Sequence, residues 1–328
     1  MKREVTVVKY EIQPVNRNDE VPEPQIQQAV PVVMRQYLEA LKAQIKISTY
    51  GIYNTHLENR IVPYFAETKC ADLNQLIVQD FADMQLASGL SPKTTKSVLI
   101  FLKKGLESVS PINYDIKLPR YSVKGLEILT ASEQRRLEAA AKYSDAIDHL
   151  GIAISLYTGI KPGELCGLMW QDIDFDRRLI NIRRTAQRVK NTDENSEAKT
   201  NFVFLPANRT ARRVIPLAGF LLRLLAEYKA QAAGEFVISK DGGPIEVRSM
   251  QYRFAKLLQT AGIRSLPLQA ARDTFAARAL EKGFDLKSLG EILGHSTILI
   301  TVKKYGKLLE LDKYRHMDME AIAKEGWG

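Results

Sequence analysis

Tyr305, in the run Thr301-Val-Lys-Lys-Tyr-Gly306, follows Arg272 and the tetrapeptide Leu293-Gly-His295-Ser296. An arginine, a histidine and a tyrosine in that order, in a basic chain without a cofactor signature, suggest chemistry on DNA phosphates that passes through a phosphotyrosine. That chemistry is demanding. A phenol titrates at about pH 10 in water, so it attacks poorly unless it is oriented and its proton is removed, and a pentavalent phosphate needs donors aimed at its non-bridging oxygens. Each residue also has a plainer reading: Tyr305 as a core aromatic, His295 as a helix-capping histidine, Arg272 as the ion-pair partner of Asp273 or Glu281. Tyr314, a second tyrosine close by, matches no motif and reads as packing.

Holding three such side chains together takes a folded domain, and the chain is long enough for more than one. Its 328 residues, 45% of them hydrophobic, fit two or three domains with a sizeable core. Lys plus Arg number 47 against 38 Asp plus Glu, for a net charge of +9 and a pI of about 9.3. That balance favours a polyanionic partner without identifying it, because a solvated positive face gives the same numbers. The two cysteines, Cys70 and Cys166, show no pairing pattern, and His56, His149, His295 and His316 are scattered. A reducing compartment follows, with no metal site and no cofactor. No window approaches the roughly 20 apolar residues a membrane span needs, and the N-terminus lacks an apolar signal core. The expected location is cytoplasmic, at the nucleoid.

Residues 1–29 read as an N-terminal extension and linker, with a short apolar alternation at Val5–Ile12 and a polar, proline-containing stretch at Asn16–Pro24. Residues 30–110 read as a helical domain. Met34, Tyr37, Leu38, Leu41 and Ile45 follow helical spacing, and Ser48-Thr49 offers a cap for a second helix carrying Tyr50, Tyr53, Leu57 and Ile61, which Pro63 should end. A third helix should run through Leu76, Phe81 and Met84 to Gly89. Ser91-Pro92 supplies an N-cap and first-turn proline for a fourth, with Val98, Leu102 and Leu106 on one face. Four helices make a small bundle. Lys93, Lys96, Lys103 and Lys104 lie on the last of them, either as a solvated face or as a DNA-facing one.

Residues 111–125 carry no helical period and read as an interdomain linker. Residues 126–307 form the domain that holds the reactive side chains, and 308–328 a tail of helical look. Thr130-Ala-Ser-Glu133 is a capping box, and a helix from about Asp145 to Tyr157 carries Ile147, Leu150, Ile154 and Tyr157 on one face. Strand-like runs follow at Leu179–Ile182, Asn201–Leu205, Arg213–Leu217 and Phe236–Ile238, and Asp241-Gly-Gly-Pro244 reads as a hairpin or loop. Helices resume near Ser249. The fold class is mainly α with one small antiparallel β-sheet. There is no internal repeat, P-loop or dinucleotide glycine pattern.

Over about residues 30–315 these features resemble the tyrosine recombinases of the phage and transposon integrase family. The resemblance rests on Thr49, Tyr53, Pro63 and Gly89-Leu-Ser-Pro-Lys93 in the N-terminal half. In the second half it rests on Thr158-Gly-Ile-Lys-Pro-Gly-Glu-Leu165, Trp170, Asp172-Ile-Asp174, Arg272-Asp-Thr-Phe-Ala276, Leu293-Gly-His-Ser296 and Tyr305. It implies a helical core-binding domain and an α+β catalytic domain closing on double-stranded DNA as a clamp, with strands cut and rejoined through a 3′-phosphotyrosine and no cofactor. It makes Arg272 the bidentate phosphate clamp, His295 a hydrogen-bond donor and Tyr305 the nucleophile. Trp170 and Glu164 read as structural.

The chain departs from the family's pattern at four positions. Lys161 stands where the first arginine belongs and exchanges a planar fork for a point charge. Gln269 stands where a histidine is usual, and an amide cannot shuttle a proton near neutral pH. The hairpin lysine, counted back from Arg213-Val-Ile-Pro216, falls on Ala207, with Lys199 the nearest alternative; Arg209 and Arg212 are further cations for DNA. Asp273 stands where a histidine is common and, beside a phosphate, should pair with a cation. The resemblance implies a homo-tetramer on two duplexes and allows a directionality or DNA-bending accessory protein. Two readings in other classes stand beside the recombinase: a relative that binds DNA specifically without cutting it, and an unrelated basic helical protein.

Overall fold

The computed structural model describes residues 26–109, 125–191, 198, 200–207 and 211–315. Two compact units divide between Val123 and Lys124.

The first unit consists of α1 (Val30–Leu41), α2 (Ile47–His56), α3 (Val62–Phe65), α4 (Gln75–Ala87) and α5 (Pro92–Leu106). Val33, Met34, Leu38, Phe65, Val78, Phe81, Val98 and Leu102 meet in one core, and Tyr53 stacks on Phe101 with ring centroids 4.5 Å apart. α5 starts as its sequence dictates, with Ser91 Oγ accepting from the Thr94 N–H and Pro92 in the first turn. Lys93 and Lys104 are exposed and Lys96 and Lys103 half-buried. At about 100° per residue the four fall within an arc of about 100°, on one side of the helix. Lys103 also reaches Glu107, at 3.9 Å.

Three details differ from the sequence expectation. Ser48 and Thr49 do not cap α2, which begins at Ile47 with Lys46 in the cap position and no side-chain bond. Pro63 does not end the second helix. Residues Leu57–Ile61 widen into a π-helical turn and the chain stays helical to Phe65; a wide turn before a proline makes room for its ring and for its missing N–H. On α4, Leu76 is 68% exposed and Met84 39%, because the buried face is Val78, Phe81, Ala82 and Gln85. Burial there follows the three- and four-residue spacing, and two of the apolar residues fall outside it.

The second unit opens with α6 (Ala131–Lys142), whose Thr130 and Glu133 form the expected reciprocal capping box. α7 (Ala146–Thr158), capped by Asp145, is buried on most sides: Leu150, Ile152, Ile154 and Leu156 all lie in the core. A short α8 (Pro162–Cys166) follows. β1 (Ile173–Asp174), β2 (Leu179–Ile182) and β5 (Arg213–Pro216) make an antiparallel sheet in the order β1-β2-β5, with Ile180 opposite Ile215. β3 (Arg184–Lys190) and β4 (Thr200–Pro206) form a separate hairpin, in register from Arg184 opposite Pro206 to Lys190 opposite Thr200. α9 (Gly219–Lys229), the two-residue strands β6 (Ser239–Lys240) and β7 (Gly243–Pro244), α10 (Val247–Thr260), α11 (Gln269–Glu281), α12 (Leu286–Leu293) and α13 (Ile298–Arg315) complete it.

Among the described residues, three small antiparallel sheets thus stand where a single one was expected. Phe236 contributes an isolated bridge to Met169 rather than a strand, and the Asp241-Gly-Gly-Pro244 turn closes β6 on β7. β3 has no counterpart in the sequence reading. Only Ala186 and Val189 of it are buried, so pairing with β4, not apolar alternation, holds it extended. α13 runs unbroken across residues 307 and 308, so the tail starts as a continuation of the helix that bears Tyr305. Ala276, Leu280, Leu289, Leu293 and Tyr305 form a small core of their own between α11, α12 and α13.

Candidate active site

Arg272 sits in the first turns of α11, 3% exposed, and its guanidinium is held by two backbone carbonyls. One nitrogen donates to Gly159 O at 2.5 Å and the other to Leu293 O at 2.7 Å. Both acceptors are helix-end carbonyls that would otherwise lack partners. Gly159 ends α7 in the left-handed region at φ 62°, and a Cβ there would lie 2.4 Å from Phe275. Only glycine both turns the chain here and leaves room for the Phe275 and Leu293 side chains packed against it. α12 ends in a Schellman closure, with Gly294 (φ 66°) donating to Glu291 O and His295 N to Gly290 O. That closure leaves the carbonyls of Ile292 and Leu293 to Arg213 and Arg272. Burial pulls the Arg272 guanidinium below the ordinary arginine value. The plainer reading, Arg272 paired with Asp273 or Glu281, does not hold; Glu281 bonds Arg278 instead.

His295 follows the closure directly. Its Nε2 lies 3.3 Å from the Arg272 guanidinium and its Nδ1 2.8 Å from Thr301 Oγ1. A guanidinium only donates, so Nε2 accepts and Nδ1 carries the hydrogen, donating to the fully buried Thr301 hydroxyl. Burial first, then Arg272, Lys161, Lys304 and Arg213, push His295 down to about 4, so the ring is neutral at pH 7.

Tyr305 is fully buried, its ring nearly parallel to that of His295 with centroids 6.3 Å apart. It is therefore a core aromatic and a hydrogen-bonded one: its hydroxyl donates to Asp273 Oδ1 at 2.7 Å. The Lys304 ammonium donates to the same oxygen at 2.7 Å and Gln269 Nε2 at 3.1 Å. Burial, and then the Asp273 carboxylate, hold the phenol far above its ordinary value, so it is protonated. The cation expected beside Asp273 is Lys304, and Gln269 spends its amide on the same carboxylate.

Lys161 precedes α8, its side chain 39% exposed. Its N–H donates to Glu164 Oε2 at 3.0 Å and its ammonium lies 3.5 Å from Oε1. Burial, opposed by Glu164 and reinforced by Arg272 and Arg213, lowers its affinity for the proton. Glu164 is structural: it takes both guanidinium nitrogens of Arg213, at 3.0 and 2.8 Å, with both side chains buried. Trp170 is buried in the main core, and Asp172 pairs with Arg184 at 2.5 Å.

The fold thus brings Lys161, Gln269, Arg272, His295 and Tyr305 to one place from four separate segments, Gln269 and Arg272 sharing α11. Ala207 follows β4, buried, with its N–H on Arg183 O. Lys199 and Arg209 lie outside the described residues; Arg212 is exposed at the start of β5. Lys93, Lys96, Lys103 and Lys104 belong to the first unit. The sequence reading missed Thr301, Lys304 and the anchoring role of Arg213. Thr301 carried a signal, since it is one helical turn before Tyr305 and so shares its face.

Comparison with known proteins gives the family and the fold. The phage integrase family profile matches residues 127–310, and the profile of the phage integrase N-terminal SAM-like domain matches residues 31–84. A XerC-like tyrosine recombinase of Caldanaerobacter subterraneus subsp. tengcongensis is 25% identical over 304 residues, 84% of this chain and 78% of that protein. Tyrosine recombinase XerC of Xanthomonas axonopodis pv. citri is 25% identical over 276 residues, 79% of this chain and 78% of its own. The fold is that of the Tn1549 transposon integrase solved with transposon right end DNA, at TM-score 0.73 and 19% identity over 88% of this chain and 99% of that one. It is also that of the lambda integrase tetramer bound to a Holliday junction, at TM-score 0.62 and 19% identity over 84% and 77%. With the family profile covering more than half of it, the chain belongs to the phage integrase family.

Proposed function

We propose that this chain performs site-specific DNA recombination, cutting and rejoining strands through Tyr305 with a 3′-phosphotyrosine intermediate. The observation that carries the reading is the convergence of Arg272, His295 and Tyr305 through shared contacts on α11, α12 and α13. Two of the five N–H donors of Arg272 are fixed on carbonyls and a third meets His295 Nε2, which holds a rigid fork with two donors left for a phosphate. His295 can present Nε2–H to the same phosphate by exchanging its tautomer, with the Thr301 hydroxyl turning to donate to Nδ1. Lys161 adds a point charge. The family's activity favours this over the accessory DNA-binding reading.

Cleavage by this set is weaker than by two arginines and a histidine. A lysine at 161 forfeits one bidentate contact, and the loss of one preorganised donor costs on the order of 10²–10³ in rate. The remaining parts of the proposal are a homo-tetramer on two duplexes, integration and excision of a mobile element, a directionality or DNA-bending protein as partner, and work at the nucleoid. The lysines of α5 and Arg212 would bind backbone phosphates and position the duplex without reading its sequence. No helix among the described residues is long and apolar enough to cross a membrane.

The test is to incubate the protein with nicked duplexes tiled across the DNA that flanks its coding sequence and look for denaturant-resistant protein–DNA adducts. An adduct lost in Tyr305→Phe supports the reading. Specific binding without an adduct, even in Lys161→Arg, refutes strand cleavage.

A further inference from the structure

Asp273 meets the nucleophile at the oxygen that must lose a proton. We infer that Asp273 takes the proton of Tyr305 during strand cleavage and returns it during rejoining, an inference that rests on the recombinase reading above.

The geometry is specific. Among the described residues, the groups facing the Tyr305 hydroxyl and Asp273 are Gln269 and Arg272 from α11, Lys304 from α13 and His295 from the turn before it. Arg272 and Lys304 are cationic donors, and Gln269 offers its amide N–H₂. His295 has one basic nitrogen, and that nitrogen points at Arg272. Asp273 is the remaining Brønsted base, 2.7 Å from the phenol oxygen. Where the resemblance places a histidine this chain has Gln269, and that glutamine donates to Asp273, holding the carboxylate against the tyrosine.

In the step itself the phenolic oxygen attacks phosphorus and the proton passes to Asp273 Oδ1 as the O–P bond forms. The P–O5′ bond breaks with its electron pair on the 5′-oxygen, which takes a proton from water. Rejoining reverses each transfer. A free phenol would not surrender its proton to a carboxylate, since their reference values differ by about 6 pH units. The proton becomes acidic enough only as its oxygen joins phosphorus, so transfer accompanies attack. Lys304 neutralises the carboxylate beside an incoming phosphate, which answers the repulsion that an acidic residue at this position would otherwise impose. A phosphate that draws the Lys304 ammonium toward itself also frees a lone pair on Oδ1 for the proton.

The experiment is single-turnover adduct formation on the nicked duplexes, with wild-type protein, Asp273→Asn and Asp273→His. Each is run on a normal phosphodiester and on a 5′-bridging phosphorothiolate, whose sulfur leaves without a proton. The inference expects Asp273→Asn to bind the same duplex and to form adduct at least about 10²-fold more slowly, and Asp273→His to stay within about tenfold of wild type. The phosphorothiolate should not rescue Asp273→Asn, because the phenol still has to lose its proton. Asp273→Asn cleaving at the wild-type rate or faster, or rescued by the phosphorothiolate, overturns the inference and leaves the recombinase reading standing. If Asp273→Asn fails to bind DNA, Asp273→His decides: a folded, DNA-binding histidine variant slowed 10²-fold also overturns it. A wild-type chain that forms no adduct overturns both readings.

Discussion

The ammonium of Lys161 lies 3.5 Å from Oε1 of Glu164, the oxygen that also accepts an N–H of Arg213 at 3.0 Å. The carboxylate is thus already taken by a bidentate guanidinium, and the lysine is a loosely held point charge at the edge of the site. Restoring a planar fork with Lys161→Arg should raise the rate of covalent adduct formation by about 10- to 100-fold. Single-turnover rates on a nicked duplex check this. An unchanged or lower rate would mean that position 161 does not limit cleavage.

Glu164 and Arg213 form a buried pair, with side chains 3% and 6% exposed. Removing one partner leaves the other charged and unsolvated, a cost of about 3–5 kcal/mol. Glu164→Ala should therefore lower the urea midpoint of the second unit sharply, and Arg213 should lose its grip on the Ile292 carbonyl that ends α12. A loss of less than about 1 kcal/mol would show that the pair is not what fixes this corner.

Tyr305→Phe should abolish the adduct while leaving DNA binding intact. Its stability cost should be modest, about 1 kcal/mol, because Asp273 keeps Lys304 and Gln269 as donors and the ring stays buried. Urea melts and gel shifts of the variant measure the two separately.

His295 is held neutral, with its value depressed from 6.5 to about 4. The unfolded chain therefore binds a proton that the folded chain refuses. The contribution of His295 to stability is fully present above about pH 6.5 and is lost as pH falls from there through about 4. His295→Gln should flatten the fall of the urea midpoint over that window. A variant with the wild-type pH slope would exclude His295 as its source.

Lys93 and Lys104 are exposed on the same side of α5. If both contact phosphates, the double alanine variant should weaken binding alike on every duplex and reduce the log–log salt slope by about 2. A sequence-selective loss would instead place them on base edges.

Some local structure was legible because a short-range device writes it. The Thr130–Glu133 capping box and the Ser91-Pro92 helix start each depend on side chains within three residues of the bonds they make. The misreadings share a cause as well. Pro63 is absorbed by a π-turn, β3 is extended only because β4 pairs with it, and Leu76 and Met84 are left outside by a core that other helices define.

The residue types and order from Lys161 through Arg272 and His295 to Tyr305 were enough to indicate the family and the class of chemistry, because a phosphate clamp and a phenol nucleophile need those functional groups. Which groups touch was decided by tertiary structure. Gly159, Leu293 and Arg272 lie far apart in the chain and are joined by two carbonyl bonds that no local pattern encodes. The neutral state of His295 comes from burial among four cations brought from separate elements. Asp273 reads from sequence as a carboxylate that should pair with a cation, and Gln269 lies one turn before it on α11. Only the packing of α13 on α11 sets its oxygen against Tyr305 and Lys304, because a hydrogen bond depends on distance and direction in space and not on separation along the chain.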